Sequence, residues 1–525
     1  MLGFGGPGEV RLTAENDAEQ ALRERYFELI ASYTEPGAVR NATGPLLSAV
    51  TALNKETCQP GTRLEILEAV TKAYSPQLAL ERVLFDASLG AWRDPVTELL
   101  RELVYGYNRV VNALWDEQTQ SEMPRVVERL IRLLGLLVLN RFDSYRIPSD
   151  RLFYGMHRFY GLAEHFELED ALVPALGITT GADQAEGAPA GAFEHSPSRA
   201  YKQILLTALA DPYHFLPGQA WQLYRFLGQR LTWLDECELA MSPRQVEPSP
   251  FVLDLADAVV DDAKLPLIGE EKYMVAEQNR LVSLQAFGAH IDEEIDRLNG
   301  DDNGILSLTE RLEQVALGNL LRRAQAAWQR RLYRRYPRRP LVGEIALIVG
   351  FDAIHRYRGE QVEPAPIPTK ANVTGALLCE TVDESDGGFS LAVHLDEPTL
   401  SVGQPVLGTL GPAEKDRRWL IGMVRWLQRV SQSRYRFGIQ TLGSFVHAAR
   451  LWPAGAHRMA EAVNALLVFE NELALEGLAI VDYGRFKVGD RAVAGFDGLN
   501  PELEFLASTE VAQSREILSF KVVSG

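Results

Sequence analysis

The chain has 525 residues, of which 46% are hydrophobic, and a formal net charge of −18. At roughly 100–200 residues per domain, this length predicts about three domains, and the apolar content is that of an ordinary globular protein. The acidic balance argues against a general nucleic-acid binder, which needs a positive field. Three distant cysteines (Cys58, Cys237 and Cys379) indicate neither a disulfide framework nor a zinc site. A reducing, cytoplasmic compartment is the simplest prediction.

The sequence offers no candidate for export or membrane insertion. The N-terminal residues 1–12 lack a basic region followed by an apolar core, so they do not resemble a secretory signal. The most apolar stretch, Leu133 to Leu139, is much shorter than the ~20 residues that span a bilayer. We expect this stretch to be a buried helix and the chain to have no membrane span.

The first two thirds of the chain are predicted to be helical. Apolar residues recur at helical spacing up to about Val173, which predicts a solenoid-like or bundled helical domain over 1–173. Residues 174–198 are rich in Gly, Ala, Pro and Thr and predict a flexible linker or loop. A second helical region covers 199–329 and ends in a long connecting helix. Its long helices are predicted at about Glu271–Leu298 and Ser307–Arg335.

After Pro340 the pattern changes to short strands separated by turn residues. This pattern predicts a small antiparallel β-barrel over 330–453. Residues 454–525 are predicted to form a further small β or α/β unit that begins with a helix at Ala456–Leu467. The fold class is therefore multidomain α plus β.

Two polar motifs flank the first strands of the predicted barrel. The first is arginine-rich and covers 330–340, where a long helix ends and a strand begins. It contains two overlapping R-x-x-x-R pairs, Arg334 with Arg338 and Arg335 with Arg339. Pro337 favours an extended backbone before it, so the second half should lie in a loop. Arginines there could bind phosphate through their planar donor fork.

The second motif, D-x-S-x-x-G, lies between two strands and comprises Asp383, Ser385 and Gly388. A carboxylate can accept the N–H groups of a guanine edge, and a serine hydroxyl can donate or accept. Glycine allows a tight turn and close approach of a ligand to the backbone. Each motif is weak alone, but their order along the chain is more specific.

With both motifs in this order, the segment from about 330 to 443 resembles a PilZ domain, the bacterial receptor module for cyclic di-GMP. The resemblance also rests on GMVRW at 422–426 and RFGIQTLG at 436–443, and it covers about a fifth of the chain. It implies that Arg334 and Arg338 bind the phosphates and stack on guanine, with Arg335 and Arg339 sharing or taking that role.

The resemblance further implies that Asp383 and Ser385 bind a guanine edge and that Gly388 keeps the turn open. One departure is an apparent insertion at His355–Asn372, which we expect to be a polar loop. The helical part carries no comparably specific resemblance. The resemblance implies outputs such as motility, pili or exopolysaccharide control. We expect the protein to be a receptor or adaptor whose helical region binds a protein partner.

Other interpretations remain open at this stage. The arginines could be a solvated helix end or a nucleic-acid patch, and the Asp motif could be a plain hairpin turn. The barrel could be a degenerate, ligand-free PilZ fold on a helical scaffold. An enzyme could lie around His157, His165 and Glu169, although we expect these histidines to be structural. No nucleotide-cyclase or phosphodiesterase motif is present, so we expect no enzyme, no cofactor and no metal.

Overall fold

The computed structural model describes sixteen segments of the chain. It confirms a multidomain α plus β fold, in which an N-terminal helical region precedes two closed, six-stranded antiparallel barrels. The described segments are 7–33, 43–83, 93–116, 121–174, 194–241, 252–254, 280–300, 308–329, 337–360, 376–395, 400–410, 418–431, 433–455, 462–471, 473–512 and 515–524. The predicted linker therefore lies largely outside them.

The chain divides into two compact units. The first comprises 1–143, 148–210 and 220–290, and the second comprises 144–147, 211–219 and 291–525. Helices dominate the first unit, as the apolar periodicity predicts. They are α1 (Pro7–Ala31), α2 (Thr43–Leu53), α3 (Pro60–Val83), α4 (Arg93–Asp116), α5 (Met123–Asp143), α6 (Asp150–His165), α7 (Pro197–Leu209), α8 (Gln219–Gly228) and α9 (Leu231–Asp235).

Helix α5 lies at the centre of this unit and packs against α4, α6 and α7. Its apolar stretch Leu133–Leu139 is buried throughout, which confirms the prediction of a buried helix. One turn earlier, Glu128 is fully buried and accepts from Arg132 Nε at 2.7 Å. Burial opposes ionisation of Glu128, but Arg132 and then Arg129 outweigh it and lower its pKa to about 2. Glu128 and the two arginines stay charged because the carboxylate and the guanidinium groups are counter-ions inside the helical core.

Two small sheets complete the first unit. One pairs β1 (Val173–Pro174) with β2 (Glu194–His195), and the other has the order β3-β5-β4. Its strands are β3 (Glu238–Met241), β4 (Val252–Asp254) and β5 (Arg280–Ser283). The helix predicted from Glu271 to Leu298 is therefore wrong at 280–283, where β5 pairs with strands on both sides. Residues 271–279 lie outside the described segments.

Two further helices follow in the chain, α10 (Gln285–Asn299) and α11 (Leu308–Trp328). The second ends at Trp328, followed by a turn at Gln329. Of the helix predicted over Ser307–Arg335, residues 330–335 are outside the described part of the chain. Among the described residues, no helix is both long and apolar enough to cross a bilayer.

The first barrel closes because β8 pairs with both β7 and β9. Its sheet has the order β6-β8-β7-β10-β11-β12-β9. The strands are β6 (Arg339–Pro340), β7 (Glu344–Val349), β8 (Leu377–Ser385), β9 (Gly388–His394), β10 (Pro405–Leu410), β11 (Arg418–Arg429) and β12 (Arg434–Gly443).

Two short pieces of the helical sequence belong to the unit that contains this barrel. Tyr145 is buried in the barrel core, and its carbonyl oxygen accepts from the amide of Arg429 on β11 at 2.6 Å. Its hydroxyl donates to the carbonyl oxygen of Phe215 at 3.0 Å. Segments 144–147 and 211–219 are thus built into the end of the barrel.

The insertion predicted to be a polar loop is partly a helix, α12 (Phe351–Glu360), which follows β7 through Gly350 at a φ of +93°. Phe351, Ile354 and Tyr357 recur at helical spacing and are buried between the two barrels. The loop prediction is therefore wrong for 355–360, because three spaced apolar residues gain more from burial than the polar residues between them lose. Residues 361–372 are not among those described.

The second barrel closes through strands β13-β14-β15-β18-β17-β16. The barrel predicted over 330–453 includes 445–453, whereas in the structure this segment is a strand of the second barrel. The strands are β13 (Phe445–Pro453), β14 (Val463–Phe469), β15 (Glu476–Asp482), β16 (Arg491–Gly495), β17 (Glu502–Ala512) and β18 (Arg515–Ser524).

The helix predicted at Ala456–Leu467 is wrong from Val463 onward, where β14 begins; residues 456–461 are not described. Both faces of β14 are covered. Ala465 and Leu467 point into the barrel, and Leu466 and Val468 join the core shared with α12 and the first barrel. A short run that is apolar on both faces lacks the alternation that distinguishes a strand from a buried helix.

Candidate functional site

The structure brings the two predicted motifs together at one edge of the first barrel. The two-residue strand β6 pairs with β8, with Arg339 opposite Glu384 and Pro340 opposite Asp383. This backbone pairing places the second half of the arginine-rich segment beside the Asp motif. Arg338 Nη1 donates to Asp383 Oδ2 at 3.3 Å, and the two side chains are 32% and 16% exposed. The motifs therefore form one surface.

Of the arginine-rich segment, residues 337–340 are described. Arg334 and Arg335 lie outside the described residues. Arg338 and Arg339 are both exposed, but it is Arg338 whose side chain reaches Asp383. Among the described residues, the arginine side chain of this segment that contacts Asp383 is therefore that of Arg338.

The D-x-S-x-x-G motif forms the tight turn between β8 and β9. Ser385 pairs with Gly388 across the hairpin, and its hydroxyl donates to the Gly388 carbonyl oxygen at 3.3 Å. Gly388 also pairs with Gln440 on β12. A Cβ atom at Gly388 would lie 1.9 Å from the carbonyl oxygen of Ile439, so a side chain there would push two strands apart. The glycine is required by this close approach of strands.

A row of paired residues continues from Asp383 across four strands. Asp383 pairs with Ser390 on β9, Ser390 pairs with Gly438 on β12, and Gly438 pairs with Trp426 on β11. A Cβ atom at Gly438 would lie 1.9 Å from Trp426 Nε1, so the indole covers the glycine backbone. The row thus runs from a carboxylate, over two small residues, to an aromatic ring.

One residue of this surface was missed by the sequence analysis. Arg436 on β12 donates from Nη2 to Asp383 Oδ2 at 3.2 Å and from Nε to Ser390 Oγ at 3.2 Å. Its guanidinium carbon lies 5.9 Å from the centre of the Trp426 ring. Arg436 is in neither motif. The one available signal was its place in the alternating pattern of β12, on the outward side of the strand.

Two arginines contact the Asp383 carboxylate on this surface. Arg338 precedes β6, and Arg436 lies on β12. Arg434, two residues before Arg436 on β12, is paired instead with Glu380 on β8 at 3.0 Å. This surface offers planar cationic donors, a carboxylate acceptor and the half-buried indole ring of Trp426. This combination suits an anionic, aromatic ligand such as a nucleotide.

The histidines of the helical unit have a different environment. His157 on α6 is buried, and its Nδ1 is 2.7 Å from the hydroxyl of Tyr201. Burial lowers the pKa of His157 to about 4. His165 lies in the last turn of α6, and the backbone carbonyl of Glu169 accepts from Ser198 at 2.8 Å. Among the described residues, no group of three or more His, Cys, Asp or Glu could hold a metal ion.

The barrel surface is a candidate nucleotide site. A comparison with protein families identifies a receptor-domain match in another part of the chain. Residues 36–243 match the family model of the cyclic-di-GMP receptor FimW, N-terminal domain. The match covers the helices α2 to α9, less than half of the 525 residues. The barrel that carries the candidate site lies outside the match, so its identity as a PilZ domain stays a prediction. A comparison with curated proteins gave no match.

Proposed function

We propose that this protein is a cytoplasmic receptor for cyclic di-GMP and that the first barrel is a PilZ-type domain that binds the nucleotide. The observation that carries the proposal is the contact between Arg338 and Asp383, which joins two motifs 45 residues apart. The similarity of residues 36–243 to the N-terminal domain of a cyclic-di-GMP receptor supports the same ligand independently of that contact.

The ligand has two phosphodiesters and two guanines, and each candidate residue suits one of these groups. Arg338, with Arg334 or the overlapping pair Arg335 and Arg339, would bind phosphate through charge-assisted hydrogen bonds and stack on a purine face. Asp383 would accept the two adjacent N–H donors of a guanine edge. Ser385 and Gly388 would shape the turn against which the base lies.

The proposed output is a change in the helical region. Binding would clamp the arginine-rich segment against the barrel. This segment follows α11 directly in the sequence, so clamping it would reorient helices that hold a protein partner. The output would be motility, pilus function or exopolysaccharide production in a bacterium. The protein would act as an adaptor and not as an enzyme.

A second candidate function has one observation in its favour. Oδ2 of Asp383 is already held by both Arg338 and Arg436, so the surface is internally satisfied without a ligand. This would suit a helical scaffold whose barrel makes only protein contacts. An anionic ligand can replace a carboxylate as the partner of an arginine, so this pairing is also compatible with the receptor.

Thermal unfolding of the full chain with cyclic di-GMP, GTP or cyclic GMP separates the two candidates. A ligand present at 100 times its Kd stabilises the folded state by about 2.7 kcal/mol. Stabilisation by cyclic di-GMP and not by the two controls would support the receptor. If none of the three nucleotides shifts the unfolding curve from that of the protein alone, in protein free of co-purified ligand, the scaffold is favoured.

A further inference from the structure

Arg436 occupies an unusual position for a residue outside both motifs. Its strand β12 is hydrogen-bonded along most of its length to β11 on one side and β9 on the other. From there its side chain reaches past β9 to β8, where it donates to Asp383, and it also donates to Ser390 on β9. Ser390 is fully buried, and the Arg436 side chain is 41% exposed. One guanidinium thus connects three strands.

Asp383 therefore has two arginine partners with different backbone settings. Both donate to the same oxygen, Oδ2, Arg338 at 3.3 Å and Arg436 at 3.2 Å. Arg338 precedes β6, a strand of two residues, whereas Arg436 is the third residue of a ten-residue strand paired on both sides. The backbone of Arg436 is consequently the better fixed of the two.

We propose that Arg436 is a positioning residue that holds the Asp383 carboxylate in the orientation that selects guanine. The proposal rests on the proposed function and deepens it. When the nucleotide binds, Arg338 leaves the Asp383 carboxylate and binds a phosphate. The carboxylate then accepts hydrogen bonds from the N–H groups of guanine. Arg436 keeps its contact with Oδ2 throughout and so prevents the carboxylate from rotating away.

The physical reason is that base selectivity depends on a fixed acceptor. Guanine presents two adjacent N–H donors on its Watson–Crick edge, whereas adenine presents one amino donor next to a ring nitrogen that repels a carboxylate. A carboxylate that can rotate loses part of this distinction. A guanidinium with two donors in a fixed fork, one on Asp383 and one on Ser390, restricts that rotation more than a single flexible ammonium can.

The test compares the Kd values of cyclic di-GMP and cyclic di-AMP for full-length variants. Arg436→Gln removes the charge and the fork. Arg436→Lys keeps the charge without the fork and guards against misfolding of the first variant. Arg434→Gln is the matched control, because it removes one positive charge two residues away on the same strand, where Arg434 pairs with Glu380.

We expect Arg436→Gln to reduce the preference for cyclic di-GMP over cyclic di-AMP by about tenfold, the worth of one charge-assisted hydrogen bond. The lysine variant should be intermediate, and Arg434→Gln should keep the wild-type ratio. An unchanged ratio in both Arg436 variants would overturn the inference, and so would an equal fall in Arg434→Gln. If the wild-type protein bound neither nucleotide, the proposed function itself would fail, and this inference with it.

Discussion

The guanidinium of Arg338 and the carboxylate of Asp383 meet at 3.3 Å, although 45 residues separate them in the sequence. Their meeting follows from the backbone, because the pairing of β6 with β8 puts Pro340 opposite Asp383. The cation next to a two-residue strand thus meets an acid on a nine-residue strand, and together they form a polar corner on the outside of the barrel. The predictions below concern this corner and the structure that supports it.

Arg338→Ala should weaken cyclic di-GMP binding by about tenfold or more, because it removes a charge-assisted hydrogen bond to phosphate. The fold should be intact, since Arg338 is an exposed residue before a two-residue strand. Fluorescence or calorimetric titration would measure the loss. Arg491→Ala on the second barrel, an exposed arginine paired with Glu502, is the control and should bind as the wild type does. Equal affinities for the two variants would remove Arg338 from the site.

Gly388→Ala should destabilise the first barrel by about 1–3 kcal/mol, the usual cost of overpacking. The added Cβ would lie 1.9 Å from the carbonyl oxygen of Ile439. Gly343→Ala in the same barrel is the control, because its Cβ would meet only the Thr381 hydroxyl at 3.6 Å. Denaturant unfolding of both variants would measure the difference. Similar stabilities would mean that the hairpin does not approach β12 as closely as described.

Tyr145→Phe should cost about 1 kcal/mol, because the carbonyl of Phe215 loses the donor at 3.0 Å. Tyr145→Ala should cost about 3 kcal/mol or more, since it also empties a place in the barrel core. The order of the two losses in denaturant unfolding is the informative result. A small, equal loss for both variants would show that segment 144–147 does not contribute to the barrel core.

Acid should destabilise the helical unit through His157. Burial lowers its pKa to about 4 in the folded state from an ordinary value of 6.5, so the unfolded chain takes up the proton first. The contribution is complete above pH 6.5 and is lost as the pH falls, by about 3 kcal/mol at pH 4. The free energy of unfolding should therefore decline between pH 6.5 and 4.

His157→Asn tests this linkage. Asn keeps a polar partner for the Tyr201 hydroxyl, which lies 2.7 Å from His157 Nδ1, and it does not titrate. The variant should lose stability less steeply than the wild type between pH 6.5 and 4. The difference between the two proteins at pH 8 reports packing alone and serves as the reference. Parallel curves over the whole range would contradict a buried, neutral His157.

Some of this structure could be predicted from the sequence, and the failures have physical causes. Helix α5 was predictable because apolar residues recur at helical spacing from Val126 onward and lead into the apolar stretch Leu133–Leu139. Strand β14 was not, because its two faces pack against different cores and its sequence has no alternation. Helix α12 was not predicted because polar residues separate its three buried apolar residues, Phe351, Ile354 and Tyr357.

The site divides in the same way. Arg338, Asp383 and Gly388 could be identified because they lie in short motifs, whose spacing is visible along the chain. Arg436 could not, because its role comes from cross-strand register. Asp383 pairs with Ser390, Ser390 pairs with Gly438, and Arg436 lies two residues from that glycine. Register of this kind is a property of the folded sheet.

The most direct measurement is calorimetric titration of the nucleotide-free, full-length protein with cyclic di-GMP, alongside GTP and cyclic GMP. The account predicts selective binding of cyclic di-GMP with a Kd of about 1 μM or lower, equivalent to ~8 kcal/mol of binding free energy. A Kd raised by about tenfold or more in Arg338→Ala and in Asp383→Ala would assign the binding to the first barrel. The absence of any heat in the wild-type protein at high ligand concentration would contradict the receptor account.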